Sequence, residues 1–585
     1  MSHRGVNRRQ VIGAAGAGLL CVGSRRLWAQ SPARAAADVA DVAEAAEAAE
    51  AVVVNARIYT VEPAAPRAEA CAMHAGRFIA VGSNAEVRAL IGKGTQVFDA
   101  QQMTVVPGFI DCHNHAVGLD LLYETSVGNP FEVEFVTIAG IIDKLRARAH
   151  TTPPGHWVEG NFFDDTKVKD ARALNVHDLD AVSRDLPVAV HHRGGHTSFY
   201  NSKAFQLAGV TRDTPNPPGG TFDRDAGGNL TGRVTDRATA VFRGVGLRPT
   251  YTPEQRAERQ RSAMSYISEQ FVRYGLTSVH HEHFDGPEAL RGIEAIRAAG
   301  KLKHRVFFAA TGRMLDDLIE AGVRTGLGDE WLRIGGTVEH LVDGSFSERT
   351  MALSVPYPGM SSEYRGNLTE TQDVLDAWIL RMYQAGFQVN CHANGDVAIA
   401  AVLTALERAQ RLASQTDPRP QITHCTLINA ELVRRIKALG AVPAPFSTYP
   451  YYNADKFHLY GEPLIRRSMA FRTFIDAGIV AAAGSDFPPG PFSPLMGIQA
   501  MVTRKGWNGE VWGAEQRVTV DEALRINTWN GAYASHEEHV KGSIAPGKYA
   551  DYVVLAEDPH TANPDRIKDI KIVRTVTGGT VMYQA

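Results

Sequence analysis

Two histidines early in the chain are spaced as metal ligands would be. His113 and His115 follow the apolar run Val105-Val-Pro-Gly-Phe-Ile110 and Asp111. In an extended strand, side chains two residues apart point to the same face, so both imidazoles can converge on one ion near the strand's end. A lone His-x-His pattern is common by chance, so a metal site here requires ligands from other parts of the chain.

The elements that must position such a pair are indicated by eight apolar, β-type runs that alternate with helical segments. This alternation is typical of parallel strands wrapped by helices, and eight strands favour a closed barrel. The runs lie at 105–111, 275–281, 304–310, 333–340, 387–392, 421–425, 441–446 and 479–486. We therefore predict the α/β class, with a (β/α)8 TIM-like barrel over residues 108–531.

Two additions to the barrel are predicted. The gap between the first two runs is far longer than one helix needs, and residues 118–255 within it are rich in Pro, Gly and Asp. We expect this insertion to lie over the barrel mouth, where active sites of this fold occur. Short β-rich runs at both chain ends predict one small β-sandwich domain made of 52–107 and 532–585, with two separate β decorations as the alternative.

Composition limits the class of protein. The 585 residues are 44% apolar and 21% charged with a net charge of −3, which is typical of a soluble globular protein and provides no overall basic face for nucleic acid. We expect a small-molecule substrate. The cysteines are odd in number and widely spaced, which favours small buried side chains over a disulfide framework. They are Cys21, Cys71, Cys112, Cys391 and Cys425.

The N-terminus has the order of an export signal. The pair Arg8-Arg9 precedes a small and apolar stretch at 13–23 that is too short to span a bilayer. Paired arginines in this position resemble a bacterial twin-arginine signal. We therefore predict a signal at 1–35, a periplasmic or secreted protein, and no stable membrane insertion after signal removal. Residues 36–51, nearly all Ala, Glu, Asp and Val, are predicted to be a solvated linker or a frayed helix.

Several motifs together resemble a known family. The segment PGFIDCHNH at 107–115, after a β-rich stretch, looks like the first barrel strand of the amidohydrolase superfamily. Further segments resemble its family-3 branch, which includes N-substituted formamide deformylases, and the resemblance runs from about Val52 to the end. These segments are GTVEHLVDG at 336–344, VNCHANGD at 389–396, QITH at 421–424, AAGSDFP at 482–488 and GSIAPGKYAD at 542–551.

The resemblance implies a metal site of six residues. In the family, the site is formed by two histidines of the first strand, a bridging group on the fourth, histidines on the fifth and sixth, and an aspartate on the eighth. Carried over by motif, these are His113, His115, Glu339, His392, His424 and Asp486. Our independent count of the apolar runs places the last four on runs four, five, six and eight. The alternatives are a structural ion pair for Glu339, core histidines for the two later imidazoles and a helix N-cap for Asp486.

Glu339 departs from the family pattern. A lysine often stands at this place in relatives, where it can be carboxylated and bridge two metals. A carboxylate can also bridge, but the difference leaves open whether one or two ions are bound. Zinc is the first choice because it suits mixed imidazole and carboxylate sites, and iron and manganese are the alternatives.

Candidates for substrate contact lie in the insertion and at the second run. The segment HHRGGH at 191–196 resembles an Arg-x-Gly-His run of family 3, for which we expect a substrate-facing role of Arg193 and His196. A second metal site or solvated loop histidines are the alternatives. The segment HHEH at 280–283 ends the second run near the predicted mouth, with His281 as the candidate to contact substrate. Further candidates for a lid or pocket wall are Asp236, Phe162 and Tyr449.

The predicted reaction is hydrolysis of a carbon-nitrogen bond in an amide-like substrate, with N-formyl and cyclic amides as candidates. A divalent metal lowers the pKa of its water from about 15.7 to about 7. We expect the metal-bound hydroxide to attack the carbonyl carbon while Asp486 moves the proton to the leaving nitrogen.

Other functions remain open on the same scaffold. A deaminase or an ester or lactone hydrolase is the first alternative. Deamination ranks lower, because many deaminases of the superfamily have His-x-x-Glu on strand five, where this chain has His392-Ala-Asn-Gly395. A non-catalytic metal-binding protein is the second alternative. The resemblance is compatible with a homodimer.

Overall fold

A computed structural model describes residues 48–585, except residues 116, 117, 171, 219 and 285 and the side chains of 283 and 284. The predicted export signal at 1–35 and residues 36–47 of the predicted linker at 36–51 lie outside these residues. The end of the predicted linker is not solvated, because Ala49 is buried in an apolar core. The last residue of that linker, Ala51, begins the strand Ala51–Val54. Within the described part of the chain, no helix is long and apolar enough to cross a membrane.

Eight parallel segments in chain order form the centre of the molecule, and we number them as barrel strands one to eight. The first seven are Phe109–Asn114, Leu276–Phe284, Arg305–Ala310, Leu332–Thr337, Asn390–Ala393, Gln421–His424 and Val442–Ala444. The N–H of Thr337 donates to the carbonyl of Gln388 and thereby joins strand four to the start of strand five. The two-residue strand His340–Leu341, just after strand four, also pairs in parallel with strand five. The pairing order is that of the predicted (β/α)8 barrel.

The eighth segment, 479–486, closes the ring without forming a regular strand. Parallel bridges join Gly484 to Phe446 beyond strand seven and Phe487 to Asn114 of strand one. A Cβ atom at Gly484 would lie only 2.9 Å from Cβ of His113, so glycine permits the close approach of the last segment to the first. This approach brings the two ends of the barrel sequence together at the site.

Alternation along strand one separates the barrel interior from the surrounding helices. Ile110 and Cys112 pack with Ala482 and Ala532, whereas Asp111 and His113 face the other way. The described cysteines 71, 112, 391 and 425 are buried and free, as expected for small apolar side chains.

Helices occupy the outside of the barrel. Pro253–Arg273 fills the position between strands one and two, and it begins with proline after Thr252, whose hydroxyl accepts the N–H of Gln255. The other outer helices are Pro287–Ala298, Gly312–Glu320, Gln372–Ala385, Asp396–Leu412, Ala430–Leu439, Phe471–Asp476 and Pro494–Thr503. Further helices are Asn84–Arg88, Leu119–Tyr123, Ile138–Ala149, Val176–Asp180, Ser202–Ala208, Tyr449–Tyr452, Glu462–Ile465, Val520–Ile526 and Trp529–Ala534.

The chain between strand one and its helix forms a six-stranded sheet of its own. In spatial order its strands are Phe222–Arg224, Leu230–Thr235, Thr197–Tyr200, Val188–His192, Val158–Phe163 and Thr125–Ser126. These strands fall inside the predicted insertion at 118–255. Arg193 of this unit donates to the carbonyl of Pro488, two residues beyond strand eight, so the insertion contacts the barrel at the carboxyl ends of its strands.

Two further sheets lie outside the barrel, the first made of N-terminal strands and the second of strands from both chain ends. One has the order Arg77–Gly82, Ala70–His74, Ala51–Val54 and Gln96–Asp99, and the other Thr580–Gln584, Ile572–Thr577, Tyr552–Leu555, Thr104–Pro107, Arg57–Tyr59 and Arg67–Ala68. Val53, Cys71, Val105 and Tyr552 belong to one apolar core shared by the two sheets. The predicted pairing of the chain ends is therefore present, because Tyr552–Leu555 lies antiparallel to Thr104–Pro107.

Candidate metal centre

The end of strand one places two imidazole nitrogens side by side. The Nε2 atoms of His113 and His115 lie 2.9 Å apart. Phe446 stacks on the fully buried ring of His113, with 5.5 Å between the ring centroids. At this separation one ring can donate its hydrogen to the other, or both lone pairs can face one metal ion. The two nitrogens are therefore placed as a pair of ligands to one ion would be.

Glu339, just beyond strand four, lies between two pairs of histidines. Its Oε1 lies 3.3 Å from Nε2 of His115, and its Oε2 lies 3.5 Å from Nε2 of His113. The same Oε2 lies 3.2 Å from Nδ1 of His392 and 3.7 Å from Nε2 of His424. One carboxylate thus faces ligand atoms from strands one, five and six, which is the place of a bridging group.

The histidines of strands five and six form the second pair. Nδ1 of His392 lies 2.7 Å from Nε2 of His424. The opposite nitrogen of His392, Nε2, lies 3.3 Å from the carbonyl oxygen of Gly344. The side-chain amide nitrogen of Asn394 lies 3.1 Å from the same Nε2, so a donor and an acceptor both face it. Nδ1 faces Glu339 and His424 and is the nitrogen directed into the cluster.

Asp486 approaches the first pair from strand eight. Its Oδ1 lies 3.1 Å from Nε2 of His115 and 3.5 Å from Nε2 of His113. Its Oδ2 accepts a hydrogen bond of 3.1 Å from the hydroxyl of Tyr449. The backbone of Asp486 has φ +54°, a left-handed conformation that non-glycine residues rarely adopt. This bend, fixed by the hydrogen bond from Asp486 N–H to the carbonyl of His113, turns the carboxylate to strand one.

The six side chains fit a divalent metal. Ligands about 2.0–2.2 Å from a zinc ion are themselves separated by about 3–3.5 Å, and the contacts given above span 2.7 to 3.7 Å. Mixed imidazole and carboxylate donors suit zinc, iron and manganese. The structure thus brings together all the predicted ligands in two groups that share Glu339. The first group is His113, His115, Glu339 and Asp486, and the second is Glu339, His392 and His424.

The histidines of the first group lie among negative charges. Burial lowers the pKa of His113, but the charge of Glu339 and contacts with Asp486 and Glu282 outweigh it and raise that pKa well above its ordinary value. Burial also opposes protonation of His115, yet Asp486 and Glu339 raise its pKa to about 9. The first group therefore attracts positive charge strongly.

The second group is mixed. Burial opposes protonation of His392, but the charge of Glu339 outweighs it and raises the pKa of His392 above its ordinary value. Burial, together with the neighbouring His392, lowers the pKa of His424 well below its ordinary value. Burial tends to raise the pKa of Glu339, but the charges of His113 and His392 lower it well below its usual range. Glu339 is therefore an ionised carboxylate at neutral pH, and His424 is a neutral imidazole.

Asp111 ties strand one to strand eight. Its buried carboxylate accepts hydrogen bonds from the N–H and hydroxyl of Ser485, at 2.9 and 2.6 Å, and from the N–H of His113 at 3.2 Å. Ser485 directly precedes Asp486. One carboxylate thus fixes the spacing between the ligands of the first and last strands.

Asp343 does the same between strands four and five. It accepts the backbone N–H groups of Asn394 and Gly395, both at 2.8 Å, and of Ala352 at 2.9 Å. Burial raises its pKa to about 6. These bonds hold the loop after Glu339 against the end of strand five, beside His392.

Arg193 fastens the insertion to the loop after Asp486. Its Nε and Nη2 donate to the carbonyl of Pro488 at 2.9 and 2.5 Å, and Nη1 donates to the carbonyl of Asn129 at 3.2 Å and to the hydroxyl of Tyr452. The guanidinium is thus bound by the protein itself, beside the six-residue cluster. Its contact with substrate stays a prediction.

His196 stands on the cluster side of the insertion. Its Nδ1 lies 3.0 Å from the carboxylate of Asp236. This hydrogen bond raises the pKa of His196 against the effect of burial, with smaller contributions from the charges of Glu348 and Asp486. Its predicted role in substrate binding is therefore geometrically possible and stays a prediction.

His281 faces away from the cluster. Its Nε2 lies 3.1 Å from Nε2 of His304, and its ring packs edge-on against Phe271 of the helix Pro253–Arg273. It is buried in the layer between strand two and that helix. The structure therefore does not bring His281 to the six residues.

Three carboxylates that support the cluster were not identified from the sequence. Asp111 and Asp343 were read only as parts of motifs, and Glu282 was grouped with the mouth residues. All three lie in or next to a predicted barrel run. Asp111 and Asp343 are within four residues of a predicted ligand in sequence, and Glu282 lies beside His113 in space. An ionisable side chain in an apolar run is costly to bury without partners, and this cost is the signal that could have identified them.

Comparison with known proteins places the chain in a family. Residues 96–583 match the amidohydrolase family. The putative amidohydrolase YtcJ of Bacillus subtilis is 27% identical over 546 residues, covering 90% of this chain and 98% of that protein. The N-substituted formamide deformylase of Arthrobacter pascens is 26% identical over 547 residues, covering 91% and 98%.

A solved structure supports the fold. The crystal structure of an uncharacterized metal-dependent hydrolase from Pyrococcus horikoshii matches with a TM-score of 0.68 and 22% identity, covering 88% of this chain and 99% of that one. A second, from Pyrococcus furiosus, matches with a TM-score of 0.66 and 24% identity. The family predicted from the motifs is confirmed: the chain belongs to amidohydrolase family 3, a branch of the superfamily of metal-dependent hydrolases.

Proposed function

We propose that the chain hydrolyses the carbon-nitrogen bond of an amide-like substrate, such as an N-formyl or cyclic amide, at the six-residue cluster. The observation that carries this proposal is the position of Asp486, whose carboxylate stands against His113 and His115. A base at that position can exchange a proton with a nucleophile held by the two histidines. Similarity to an N-substituted formamide deformylase supports this class of substrate.

The metal ligands, Asp486 and Tyr449 have different roles in the proposed reaction. A divalent ion bound by the cluster would supply a hydroxide nucleophile near neutral pH and polarise the substrate's carbonyl oxygen. Burial opposes ionisation of Asp486, but hydrogen bonds from His113 and His115 lower its pKa, so its carboxylate can accept a proton and return it to the leaving nitrogen. Tyr449 orients that carboxylate by donating to Oδ2.

We propose zinc as the ion, with two ions per chain when both groups are filled. The two-sided contacts of Glu339 favour this number. Metal analysis of zinc-loaded, dialysed protein should give two equivalents. Less than about half an ion per chain, not restored by added zinc, contradicts the enzyme proposal.

On the substrate side, we propose that His196 contacts the substrate and that Arg193 positions the loop after Asp486. The side chain of His196 is 30% exposed, and the charge of Asp486 contributes to its raised pKa. The carbonyl of Pro488, held by Arg193, is two residues from Asp486. Replacement of His196 should therefore raise KM more than it lowers kcat.

The test is a substrate screen with metal-loaded protein over N-formyl amines, N-acyl amino acids, cyclic amides and lactones. We expect release of formate or a free amine from at least one amide. Ammonia as the nitrogen product of a ring amine would favour the deaminase alternative, and turnover of lactones alone would favour the ester and lactone alternative. Failure to cleave any amide contradicts the proposal.

For the chain's location, we propose export to the periplasm by the twin-arginine route. The support is the Arg8-Arg9 pair before the apolar stretch at 13–23. Replacing both arginines with lysine should leave the protein in the cytoplasm, and fractionation of expressing cells measures this.

A further inference from the structure

Barrel strand two contributes none of the six predicted ligands, yet one of its carboxylates reaches the cluster from behind. Glu282 is 3% exposed and lies on Leu276–Phe284. Its Oε1 lies 3.3 Å from Nδ1 of His113. Burial of an ionised carboxylate is unfavourable unless its oxygens are well satisfied, so the partners of Glu282 indicate its role.

Four strands are linked through this carboxylate. Oε2 accepts the backbone N–H of Glu339 at 3.1 Å, and Oε1 accepts the side-chain amide of Asn390 at 3.3 Å. Asn390 in turn accepts a hydrogen bond of 2.7 Å from the hydroxyl of Thr423, which directly precedes His424. Glu282 therefore connects strand one with the backbone of the shared carboxylate and with strands five and six.

The contact with Glu282 also bears on which ring nitrogen of His113 is available to bind a metal. Nδ1 is buried and lies 3.3 Å from Glu282 as an ion-pair contact without the alignment of a hydrogen bond, and no other residue of the described chain hydrogen-bonds to it. Nε2 faces His115, Glu339 and Asp486. An ionised carboxylate only accepts hydrogen bonds. The hydrogen of the neutral ring is therefore favoured on Nδ1, and the lone pair of Nε2 points to the place where a metal would lie.

We propose that Glu282 is a positioning residue for the metal centre. It fixes the tautomer and orientation of His113 and the backbone position of Glu339, and it thereby sets the zinc affinity of both groups. This inference rests on the proposed function only in taking the six side chains as metal ligands.

Glu282→Gln tests the inference, because glutamine keeps the size of the side chain and removes its charge. The zinc affinity of the metal-free protein is measured by competition with a chelator of known affinity, and the absorption spectrum of the cobalt(II) form reports the ligand geometry. We expect zinc to bind roughly 10–100-fold more weakly, as is typical when a partner of a metal ligand is lost, with a changed cobalt spectrum. Unchanged affinity and spectrum overturn the proposal.

Asp551→Asn is the matched control. Asp551 is 4% exposed and is held by Arg305 at 2.8 and 2.9 Å and by the N–H of Gly578 at 2.7 Å, near the start of strand one rather than its end. Its replacement should lower the thermal midpoint and leave zinc affinity unchanged. If it weakens zinc binding as much as Glu282→Gln does, general destabilisation explains the loss and the proposal fails.

A second variant decides the question if Glu282→Gln does not fold. Glu282→Asp keeps the charge but withdraws it by one methylene, so zinc affinity below that of the wild type supports the proposal and wild-type affinity overturns it. Normal zinc binding with no amide cleavage in the wild type would contradict the proposed hydrolysis and leave the role of Glu282 standing.

Discussion

The two ligand groups share Glu339 but lie in different surroundings. In the first group, Asp486 and Glu282 add negative charge next to His113 and His115, and the pKa of His115 rises to about 9. In the second, Glu339 raises the pKa of His392, whereas burial leaves His424 with a pKa well below its ordinary value. His115 and His424 therefore have opposite preferences for charge, although both face the same carboxylate. The comparison teaches that the carboxylates around the histidines, rather than the histidines alone, determine how each group binds a cation.

The largest effect is expected from Glu339→Gln, since this change alters both groups at once. Glutamine keeps the shape but not the charge of the shared ligand. We expect loss of zinc from both groups and a fall in turnover of about 10³-fold or more, in line with the several kcal/mol that metal catalysis contributes. Metal analysis and the amide assay measure the two effects. Retention of two ions would show that Glu339 is not shared.

Asp486→Asn should affect the first group only. Removal of a general acid-base group lowers turnover by about 10²–10⁴-fold, while the second group should keep its zinc because Asp486 contacts only the first pair of histidines among those ligands. Zinc content and kcat are measured on the same preparation. Wild-type kcat in this variant is incompatible with the proposed mechanism.

His424→Asn should empty the second group and leave the first filled. We expect zinc content to fall from two equivalents to one, with turnover lower by about tenfold or more, since outer partners of a metal ligand alone are worth 10–100-fold. His340→Asn is the control: its imidazole bonds to Glu370 at 2.7 Å and stacks on Trp378, away from the cluster. Loss of both ions in His424→Asn would mean that the groups do not fill separately.

Tyr449→Phe should produce a smaller loss. It removes one hydrogen bond, to Oδ2 of Asp486, and we expect kcat to fall about tenfold, equivalent to about 1.4 kcal/mol, with unchanged zinc content. The matched change Tyr451→Phe, on the same short helix, should leave kcat unaltered. A loss as large as that of Asp486→Asn would give Tyr449 a direct part in proton transfer.

The smallest effect concerns the stability of the metal-free protein, where His115 and His424 should respond to pH in opposite directions. The raised pKa of His115 adds stability below its unfolded value of 6.5 that is lost as pH rises through about 9. The depressed pKa of His424 gives stability present above 6.5 that is lost as pH falls. Thermal midpoints across this range measure both. His115→Asn should flatten the alkaline side and His424→Asn the acidic side; identical profiles in the variants and the wild type would contradict the assignment.

Much of the barrel could be predicted because its strands are buried on both faces. Such strands appear in sequence as continuous apolar runs, and a polar residue at the end of a run stands out, as His392 and His424 do. The irregular eighth segment was placed correctly by its apolar residues, but its lack of regular pairing was not predictable. The left-handed backbone at Asp486 and the close approach at Gly484 are consequences of contact with strand one.

The orientation of strand two could not be predicted. The segment HHEH at 280–283 is polar throughout, so the sequence contains no alternation to show which side chains face inward. In the structure Glu282 faces His113, and His281 faces Phe271 and His304. The side chain that faces the cluster is therefore that of Glu282, one position after the predicted substrate contact His281.

The role of the predicted substrate-binding residues was harder to predict, because their contacts are with residues far apart in the sequence. Arg193 meets the carbonyls of Asn129 and Pro488 and the hydroxyl of Tyr452. The five N–H donors of an arginine can bind backbone oxygens as readily as a substrate. No local sequence pattern distinguishes a structural arginine from a substrate-binding one.

The pairing of the chain ends has a consequence for synthesis. Tyr552–Leu555 lies against Thr104–Pro107, which leads directly into the strand of His113, and the N–H of Gly108 donates to the carbonyl of Asp551. Synthesis reaches Tyr552–Leu555 only after every one of the six ligands has been made. A nascent chain can therefore contain every ligand and still lack the neighbour that anchors the first barrel strand. We expect metal uptake to require Tyr552–Leu555, so that a chain terminated before this strand remains empty.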